Sequence, residues 1–157
     1  MTVSPDEFRL ALQRFASGVT VVTVGGSEPH GMTASSFASV SLEPPLVLVS
    51  LDKSSKTRAL ILEHGSFAVN VLSGDQQDVS RSFSKRGTKP FATLPHHPGV
   101  NGHPLLDDAI AWIDCEVHQV IEGGDHDIVV GKVLACDVRD GSPLVYFDQE
   151  YRSLKDF

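Results

Sequence analysis

The sequence predicts a mainly β fold, an antiparallel barrel with a few short peripheral α-helices. Runs of β-branched and aliphatic residues recur along the chain, the helical patterns between them are short, and turn residues such as Gly25-Gly26 bound the runs. Short helices between many β-runs argue against repeated βαβ units. At 157 residues the chain is expected to form one domain, residues 1–157, with a true core.

The first predicted element is a helix that begins with a capping-box pattern. Ser4 can cap it, Pro5 suits the first helical position, and Glu7 can reach back to the Ser4 amide. Apolar residues at helical spacing make this helix amphipathic and predict that it ends near Gly18. These residues are Phe8, Leu12 and Phe15.

Six apolar runs predict the strands of the sheet. Each combines β-branched or aliphatic residues and is bounded by residues that favour turns. The two longest runs are joined by "EGGD", which predicts a hairpin. The predicted strands are residues 19–24, 45–51, 67–72, 109–121, 126–138 and 143–147.

Two further short helices are predicted between these strands. Ser54 or Ser55 can cap the first, which Gly65 closes. Asp75 can cap the second, which spans residues 74–83. The residues expected to face inward are Leu60 and Ile61 in the first helix, and Val79 and Phe83 in the second.

Composition and charge argue against several classes of protein. With 41% hydrophobic and 21% charged residues, the chain resembles an ordinary globular domain. A net charge of -7 without clustered Lys and Arg argues against a nucleic-acid partner. No apolar run approaches the roughly 18 residues of a spanning helix, and the first residues lack the regions of a signal peptide. We therefore expect a cytoplasmic protein with no membrane partner.

Metal, thiol and hydrolase chemistry find little support in the residues. Residues 84–104 are rich in Gly, Pro, Lys and His and predict a surface excursion, so no metal site is expected from its solvated histidines, His96, His97 and His103. Cys115 and Cys136 lack CxxC spacing and lie in aliphatic stretches, which predicts buried free thiols. A serine hydrolase is not favoured, because no GxSxG elbow is present and the neighbours Asp125 and His126 rarely form a relay.

A run of small residues offers one part of a candidate cofactor site. Thr33, Ala34, Ser35 and Ser36 have no bulky side chain, so a flat aromatic ligand could approach the backbone there. Taken alone, this run is more often a strand edge or turn rich in Ser and Thr.

A second signal follows about 20 residues later, in "LDKSSKT". It follows a strand and opens a helix, where unpaired N–H groups and the helix dipole attract an anion. Ser54, Ser55 and Thr57 add hydroxyl donors, and Lys53 and Lys56 add positive charge. Alone, this pattern is more often a plain Ser cap with two solvated lysines. Together, the two signals suggest a phosphorylated, ring-bearing cofactor.

Five ordered blocks of the sequence resemble the short flavin reductase family, the reductase components of two-component flavin-dependent monooxygenases. The blocks are "FASGVTVVTV", "HGMTASSFASVSLEPPLVLVSL", "SSKTRALI", "FAVNVLS" and "GGDHDIVVGKV". The resemblance runs from about Phe15 to Leu154, which is nearly the whole chain.

This resemblance implies an FMN-binding split β-barrel that forms a homodimer and reduces FMN or FAD with NADH or NADPH. In such proteins the block Thr33 to Ser36 lies along the isoalloxazine ring. The ribityl and phosphate groups are held by residues that correspond to Ser50, Leu51, Ser54, Ser55 and Thr57. Lys85 and Arg86 match a further flavin contact, and His126 and Tyr151 match positions associated with the nicotinamide.

The implied chemistry requires no catalytic side chain, because the hydride passes directly between the two cofactors. The expected function is a reductase that supplies reduced flavin to a partner monooxygenase. NADH is favoured over NADPH because no Arg cluster marks a 2′-phosphate site. The sequence leaves open FMN or FAD, and whether the flavin is released at each turnover. It also leaves two alternatives: an electron-transfer or storage protein with tightly bound FMN, and a barrel that binds a small ligand without redox chemistry.

Overall fold

The computed structural model describes residues 3–156, and it confirms the mainly β fold class with short helices. The three α-helices are α1 (Pro5–Leu12), α2 (Lys56–His64) and α3 (Gln77–Ser84), and 3-10 turns cover Pro90–Ala92 and Leu154–Asp156. The strands are β1 (Ser17–Gly18), β2 (Thr20–Val24), β3 (His30–Ala34), β4 (Ala38–Leu42), β5 (Pro45–Asp52), β6 (Ser66–Val71), β7 (His96–Pro98), β8 (Pro104–Leu106), β9 (Ala111–Gly123), β10 (His126–Val138), β11 (Val145–Phe147) and β12 (Glu150–Arg152).

Seven strands form one antiparallel sheet in the order β3-β2-β6-β9-β10-β5-β4. Its main core joins Ala34, from the strand at one edge, with Val47 and Val49 from β5, which lies next to the other edge. Side chains from opposite ends of the sheet meet only if the sheet curls, so it wraps around this core as a barrel. Phe67 of β6 is fully buried in the centre.

A second core lies under α3. Val79 and Phe83 face it as predicted, because residues four apart share one face of a helix. Phe83 meets Phe91 edge to face, with ring centroids 5.2 Å apart. This packing fixes the segment that follows α3 against the barrel.

The first helix confirms the capping prediction but ends early. The Ser4 Oγ accepts the Glu7 N–H, and a Glu7 carboxylate oxygen accepts the Ser4 N–H at 3.0 Å. The helix ends at Leu12, however, rather than near Gly18. The apolar residues that predicted its buried face stay exposed, with Phe8 in the helix at 57% and Phe15 beyond its end at 78%, because no other element within residues 3–156 covers them.

The two later helices differ in whether their predicted caps are confirmed. Ser55 caps α2, and Gly65 ends it in the left-handed region with φ 68°, as predicted. The prediction that Asp75 caps α3 is wrong. Gln76 occupies the cap position, and its Oε1 accepts the Ser73 N–H. A tight turn stabilised by Gln76 takes the place of an aspartate cap.

Two burial predictions are also wrong. Residues 84–104 are not wholly a surface excursion, because Lys89, Phe91 and His103 within them are buried. Of the two free cysteines, Cys115 is buried but Cys136 is exposed, since the far half of β10 extends beyond the core. Burial raises the pKa of the Cys115 thiol to about 12, so it stays protonated.

The sequence reasoning missed six short strands, because their Ser, Thr, Gly, Pro and charged residues hide the usual apolar pattern. They are β1, β3, β4, β7, β8 and β12. None of the helices within residues 3–156 is long and apolar enough to cross a membrane.

Candidate functional site

A cavity of about 1050 Å³ opens beside the barrel. Its lining comes from three segments, residues 28–32, 52–57 and 83–92. The first segment leads into β3, the second joins β5 to α2, and the third continues from α3. The cavity therefore lies where β3 and α2 begin. Its third side is the segment after α3, which Phe83 and Phe91 anchor in the second core.

The start of α2 forms one wall of the cavity. The Ser55 Oγ accepts the Arg58 N–H at 3.2 Å, while both the N–H and the hydroxyl of Ser54 donate to Asp52 Oδ1 at 2.6 Å. These bonds from Ser54 lower the pKa of the Asp52 carboxyl. The cap and the turn before it are thereby fixed, with the positive end of the helix dipole at the cavity wall.

Unpaired positive charge gathers around this cavity. The chain has 13 Lys and Arg residues, and seven of them form ion pairs with carboxylates, all away from the cavity lining. Four of the remaining six line the cavity, where only Glu28 and Asp52 carry negative charge. The four are Lys56, Lys85, Arg86 and Lys89. In a chain of net charge -7, this distribution gives the cavity a local excess of positive charge, which favours a negatively charged ligand.

Lys89 differs from the other three cations because it is buried. Its Nζ donates to the Phe83 carbonyl at 3.0 Å and also to the Lys85 carbonyl, so it holds the end of α3. Burial lowers the pKa of Lys89. Its structural bonds leave Lys56, Lys85 and Arg86 as the cavity cations without an ion-pair partner among residues 3–156.

His30 is a cavity residue that the sequence reasoning missed. Burial, then the charges of Lys89 and Lys56, lower the pKa of its imidazole to about 4. His30 is therefore neutral at pH 7 and can both donate and accept a hydrogen bond. The alternation of His30 and Met32 on one face of a strand was the available signal, and β3 was not predicted.

The small-residue run lies next to the cavity rather than in its lining. The Thr33 hydroxyl donates to the Ser80 carbonyl at 2.6 Å, and Ala34 packs into the main core. The Ser36 Oγ bonds both the carbonyl and the N–H of Ser50, at 2.8 and 3.1 Å. Ser35 is exposed. These bonds join the segment that follows β3 to β5, so the two predicted parts of the site lie close together.

Two predicted site residues are less accessible than expected. The Leu51 side chain is fully buried in the main core, so only its backbone can face a ligand. Thr57 lines the cavity but is 1% exposed. A ligand would meet Thr57 only at the cavity wall.

His126 lies at the tip of the β9–β10 hairpin, opposite Asp52 across the strand pair. Its Nδ1 is 2.7 Å from Asp125 Oδ1, so the two neighbours are hydrogen-bonded at the exposed tip. In the tautomer whose Nδ1 donates to the Asp125 carboxylate, the Nε2 of His126 is left as a hydrogen-bond acceptor.

Tyr151 lies on β12, beside α3, and shares no partner with His126 in the described structure. Its hydroxyl is 2.7 Å from the Ser80 Oγ, and the Arg81 guanidinium lies 5.4 Å from its ring centroid. Since the Ser80 carbonyl accepts the bond from Thr33, Tyr151 is linked to the small-residue run.

The histidines of residues 84–104 occupy three different environments. His97 is exposed and 2.7 Å from Asp107, and His96 Nδ1 bonds the Leu94 carbonyl. The prediction that His103 is solvated is wrong: it is buried, its Nδ1 accepts the Gly25 N–H, and its Nε2 lies 2.8 Å from the Ser66 Oγ. It joins the first hairpin to β6.

Comparison with known proteins adds a consistent picture. The family model "Flavin reductase like domain" matches residues 12–155. An NADH-dependent flavin reductase of a Rhodococcus species is 41% identical over 98% of this chain and 88% of its own length. A "Probable flavin reductase" of Rhizobium meliloti is 45% identical over 85% of this chain, which spans only 43% of that protein. The crystal structure of BorF, the flavin reductase component of a bacterial two-component tryptophan halogenase, superposes with a TM-score of 0.91 at 41% identity, over 96% of this chain and 98% of BorF.

Proposed function

The chain belongs to the flavin reductase-like family, and from this membership we propose that it is an NADH-dependent flavin reductase. It transfers a hydride from the nicotinamide to FMN or FAD and supplies the reduced flavin to a partner monooxygenase. The Rhodococcus relative, which matches nearly end to end, supports the reductase activity. BorF supports the two-component arrangement, because it is the reductase component of such a system.

The observation that carries this proposal is the cavity with its unpaired cations at the start of α2. A phosphorylated flavin brings the negative charge that Lys56, Lys85 and Arg86 lack as a partner. The bound flavin supplies the ring that accepts the hydride. Ser54, Ser55 and Thr57 are the residues we assign to its phosphate.

The adjoining small-residue run is the place we assign to the flavin ring. Thr33, Ala34, Ser35 and Ser36 carry no bulky side chain that would block a flat ring, and Ser36 is hydrogen-bonded to Ser50 of β5. Leu51 contributes through its backbone, because its side chain lies in the core. The ring assignment lies where the segment after β3 meets β5, and the phosphate assignment follows along the chain at the start of α2.

His126 is the residue we assign to the nicotinamide. Its Nε2 lone pair can accept a hydrogen bond from the carboxamide N–H₂ of the nicotinamide. We also assign Tyr151 to the nicotinamide, as a second contact. Since its hydroxyl already bonds Ser80, this contact would use the ring edge. No side chain is assigned a proton-transfer role, because hydride transfer needs only the alignment of the two rings.

The proposal also covers the domain organisation, oligomeric state, location and reaction class of the protein. The chain acts as a single split-barrel domain, as a homodimer, in the cytoplasm, where two free cysteines stay reduced. Its reaction is of the type that oxidises NAD(P)H with a flavin as acceptor, EC 1.5.1. The exposed apolar side of α1 supports the homodimer, because a second copy could cover it.

The test is the rate of NADH oxidation at 340 nm with added FMN, FAD or riboflavin. We expect steady turnover that consumes many flavin equivalents per protein. A protein that binds FMN tightly but leaves NADH unchanged would support the storage alternative and contradict this proposal. A colourless protein that binds none of the three flavins would support a barrel without redox chemistry.

Two substitutions separate the two halves of the site. Thr57→Val removes the hydroxyl while keeping the shape of a buried residue, and should weaken FMN binding by about 1–2 kcal/mol. Thr93→Val, at an exposed threonine, is its control. His126→Ala should raise the KM for NADH and leave flavin affinity unchanged. If His126→Ala weakens flavin binding instead, the nicotinamide assignment is wrong.

A further inference from the structure

Ser80 is a buried residue that has no place in the assignments made so far. It lies in the middle of α3, and its side chain is fully buried. Its two hydrogen-bonding groups reach two different parts of the chain: the Oγ lies 2.7 Å from the Tyr151 hydroxyl, and the carbonyl accepts the Thr33 hydroxyl at 2.6 Å. Tyr151 is assigned to the nicotinamide and Thr33 to the flavin ring. One serine therefore contacts a residue of each assigned ring site.

The position of α3 against β3 is closely defined. A Cβ atom at Gly31, two residues before Thr33, would lie 3.1 Å from the Phe83 ring, which is closer than an ordinary van der Waals contact. A glycine at this point lets the helix approach the strand. Together with the bond from Thr33 to Ser80, this contact fixes α3 at two points along β3. A shift of α3 would therefore also move the side chain of Thr33.

The Tyr151 side chain is held from two elements. The Arg81 guanidinium of α3 lies 5.4 Å from its ring centroid, and the Tyr146 ring of β11, its partner across the strand pair, meets it edge to face at 5.6 Å. The hydroxyl bond to Ser80 is the directional contact of the three. We therefore expect this bond to set how far Tyr151 lies from α3.

Ser80 cannot itself contact a cofactor. Its side chain is fully buried, and both its hydroxyl and its carbonyl already have partners within the described residues. The Thr33 hydroxyl uses its one proton in the bond to Ser80, which restricts the rotation of the Thr33 side chain. Any effect of Ser80 on the reaction therefore passes through Thr33 and Tyr151, the residues assigned to the two ring sites.

Spacing is the property that decides the rate of this reaction. Hydride transfer needs the reacting atoms of the two rings aligned at about 3–3.5 Å, and no side chain has to move a proton. We propose that Ser80 is a positioning residue for hydride transfer: by bonding Tyr151 and Thr33 together, it sets the distance between the nicotinamide contact and the wall for the flavin ring. The proposal rests on the proposed function, because it takes the assignments of Thr33 and Tyr151 as given.

The first experiment uses the whole chain without any cofactor. In protein with isotope-labelled threonine methyl groups, Ser80→Ala and Tyr151→Phe should each shift the Thr33 methyl resonance, because α3 is no longer held to β12. Ser82→Ala is the matched control, since it removes a hydroxyl of the same helix that bonds a carbonyl within α3. It should leave the Thr33 resonance unchanged. A Thr33 resonance that responds to none of these substitutions would overturn the proposal.

The second experiment separates positioning from binding. The rate of hydride transfer is measured as the loss of oxidised-flavin absorbance in an anaerobic single turnover with FMN and NADH. Ser80→Ala and Tyr151→Phe should each lower this rate about five- to tenfold, because a small misalignment slows transfer steeply. The Kd for FMN should stay unchanged. Ser82→Ala and Tyr146→Phe should leave the rate as it is, and an equal loss in either control would contradict the proposal.

The double variant tests whether the two residues act through their shared bond. Ser80→Ala combined with Tyr151→Phe should transfer hydride no more slowly than either single variant, because each removes the same hydrogen bond. Effects that multiply would show that the residues act separately and would refute the proposal. Ser80→Ala with weaker FMN binding and an unchanged transfer rate would refute it as well, because the serine would then support binding rather than alignment.

Failure of the positioning role is distinguishable from failure of the proposed function. If the unaltered protein oxidises NADH with added flavin, and Ser80→Ala transfers hydride at the unaltered rate, the positioning role is wrong and the protein remains a reductase. If the unaltered protein oxidises no NADH with FMN, FAD or riboflavin, the proposed function is wrong. The positioning role then fails with it, even where the Thr33 resonance shifts.

Discussion

Two polar regions of this molecule differ in whether their side chains find hydrogen-bond or ion-pair partners within the chain. In the interior, Asn70 is fully buried and bonded on both sides: its Nδ2 donates to the Val21 carbonyl at 3.2 Å, and its Oδ1 accepts the Leu106 N–H at 2.8 Å. At the cavity, Lys56 and Arg86 have no ion-pair partner within residues 3–156. Polar groups that find partners inside the chain hold elements together, and those that find none point to a ligand.

The difference has an energetic basis. A buried polar group without a partner costs about 1–3 kcal/mol, so the interior leaves none, and within the described residues no buried side-chain nitrogen or oxygen is unsatisfied. Cations at the cavity remain in contact with water and avoid this cost. Without a bound anion they therefore remain hydrated and do not destabilise the fold.

The largest expected effect is on stability, and it comes from removing the hydrogen bonds of the buried Asn70. Asn70→Leu would leave the Leu106 N–H and the Val21 carbonyl without their side-chain partner, and should lower the free energy of unfolding by about 3 kcal/mol. Urea denaturation followed by circular dichroism measures it. Gln119→Ala, on the exposed part of β9, is the control and should change stability by less than about 0.5 kcal/mol. Equal effects would refute the contrast.

A pair of cations two residues apart sharpens the comparison. Arg58 is paired: its Nε and Nη2 lie 2.7 and 2.5 Å from the buried Asp127 carboxylate. Arg58→Met should lower the free energy of unfolding by about 2 kcal/mol, because Asp127 is left buried and unpaired. Lys56→Met should leave stability nearly unchanged and weaken FMN binding about five- to tenfold. Denaturation and flavin titration of both variants provide the measurement, and loss of stability in Lys56→Met would contradict it.

The pH dependence of stability tests a second buried side chain with partners inside the chain, His103. Burial is the main cause that lowers the pKa of His103, with His64 acting in the same direction and Asp114 opposing it. The folded state therefore binds this proton less readily than the unfolded chain. Stability from neutral His103 is complete above about pH 6.5 and falls as the pH drops below that value towards the lowered folded pKa. His103→Gln should flatten the stability profile below pH 6.5, and an unchanged profile would contradict this role.

The smallest expected effect is a shift in a single titration at the cavity. Burial is the main cause that lowers the pKa of His30 to about 4, and the charges of Lys89 and Lys56 act in the same direction. An anion bound beside them offsets this repulsion, so FMN should raise the His30 pKa towards its usual value. Proton NMR of the imidazole with and without FMN measures the shift. His97, exposed outside the cavity, is the internal control, and a shift of equal size there would rule out a local cause.

Local signals were predictable from the sequence because they are complete within a few residues. The Ser4 to Glu7 capping box joins groups three residues apart, and the Gly65 end of α2 requires only a left-handed backbone. The main strands were found because a buried strand needs a run of apolar side chains. Ser54, Ser55 and Thr57, which line the cavity, were found because a helix start after a strand is itself a local pattern.

Most of the failed predictions concern contacts between distant parts of the chain. His103 is buried through bonds to Gly25 and Ser66, which lie 78 and 37 residues away. His30 is a cavity residue because α2 and the segment after α3 are packed against the start of β3. Two failed predictions are local: α1 ends at Leu12 rather than near Gly18, and the Asp75 cap failed because Gln76 already completes the turn.

By itself, the sequence determined the fold class, the main strands, two helix caps and the family. Only the tertiary structure decided which polar residues are paired, which are buried, and that four cations surround one cavity. The physical reason is range: backbone conformation responds to neighbours within about one helical turn, whereas burial and electrostatic pairing depend on whichever segments the fold brings together.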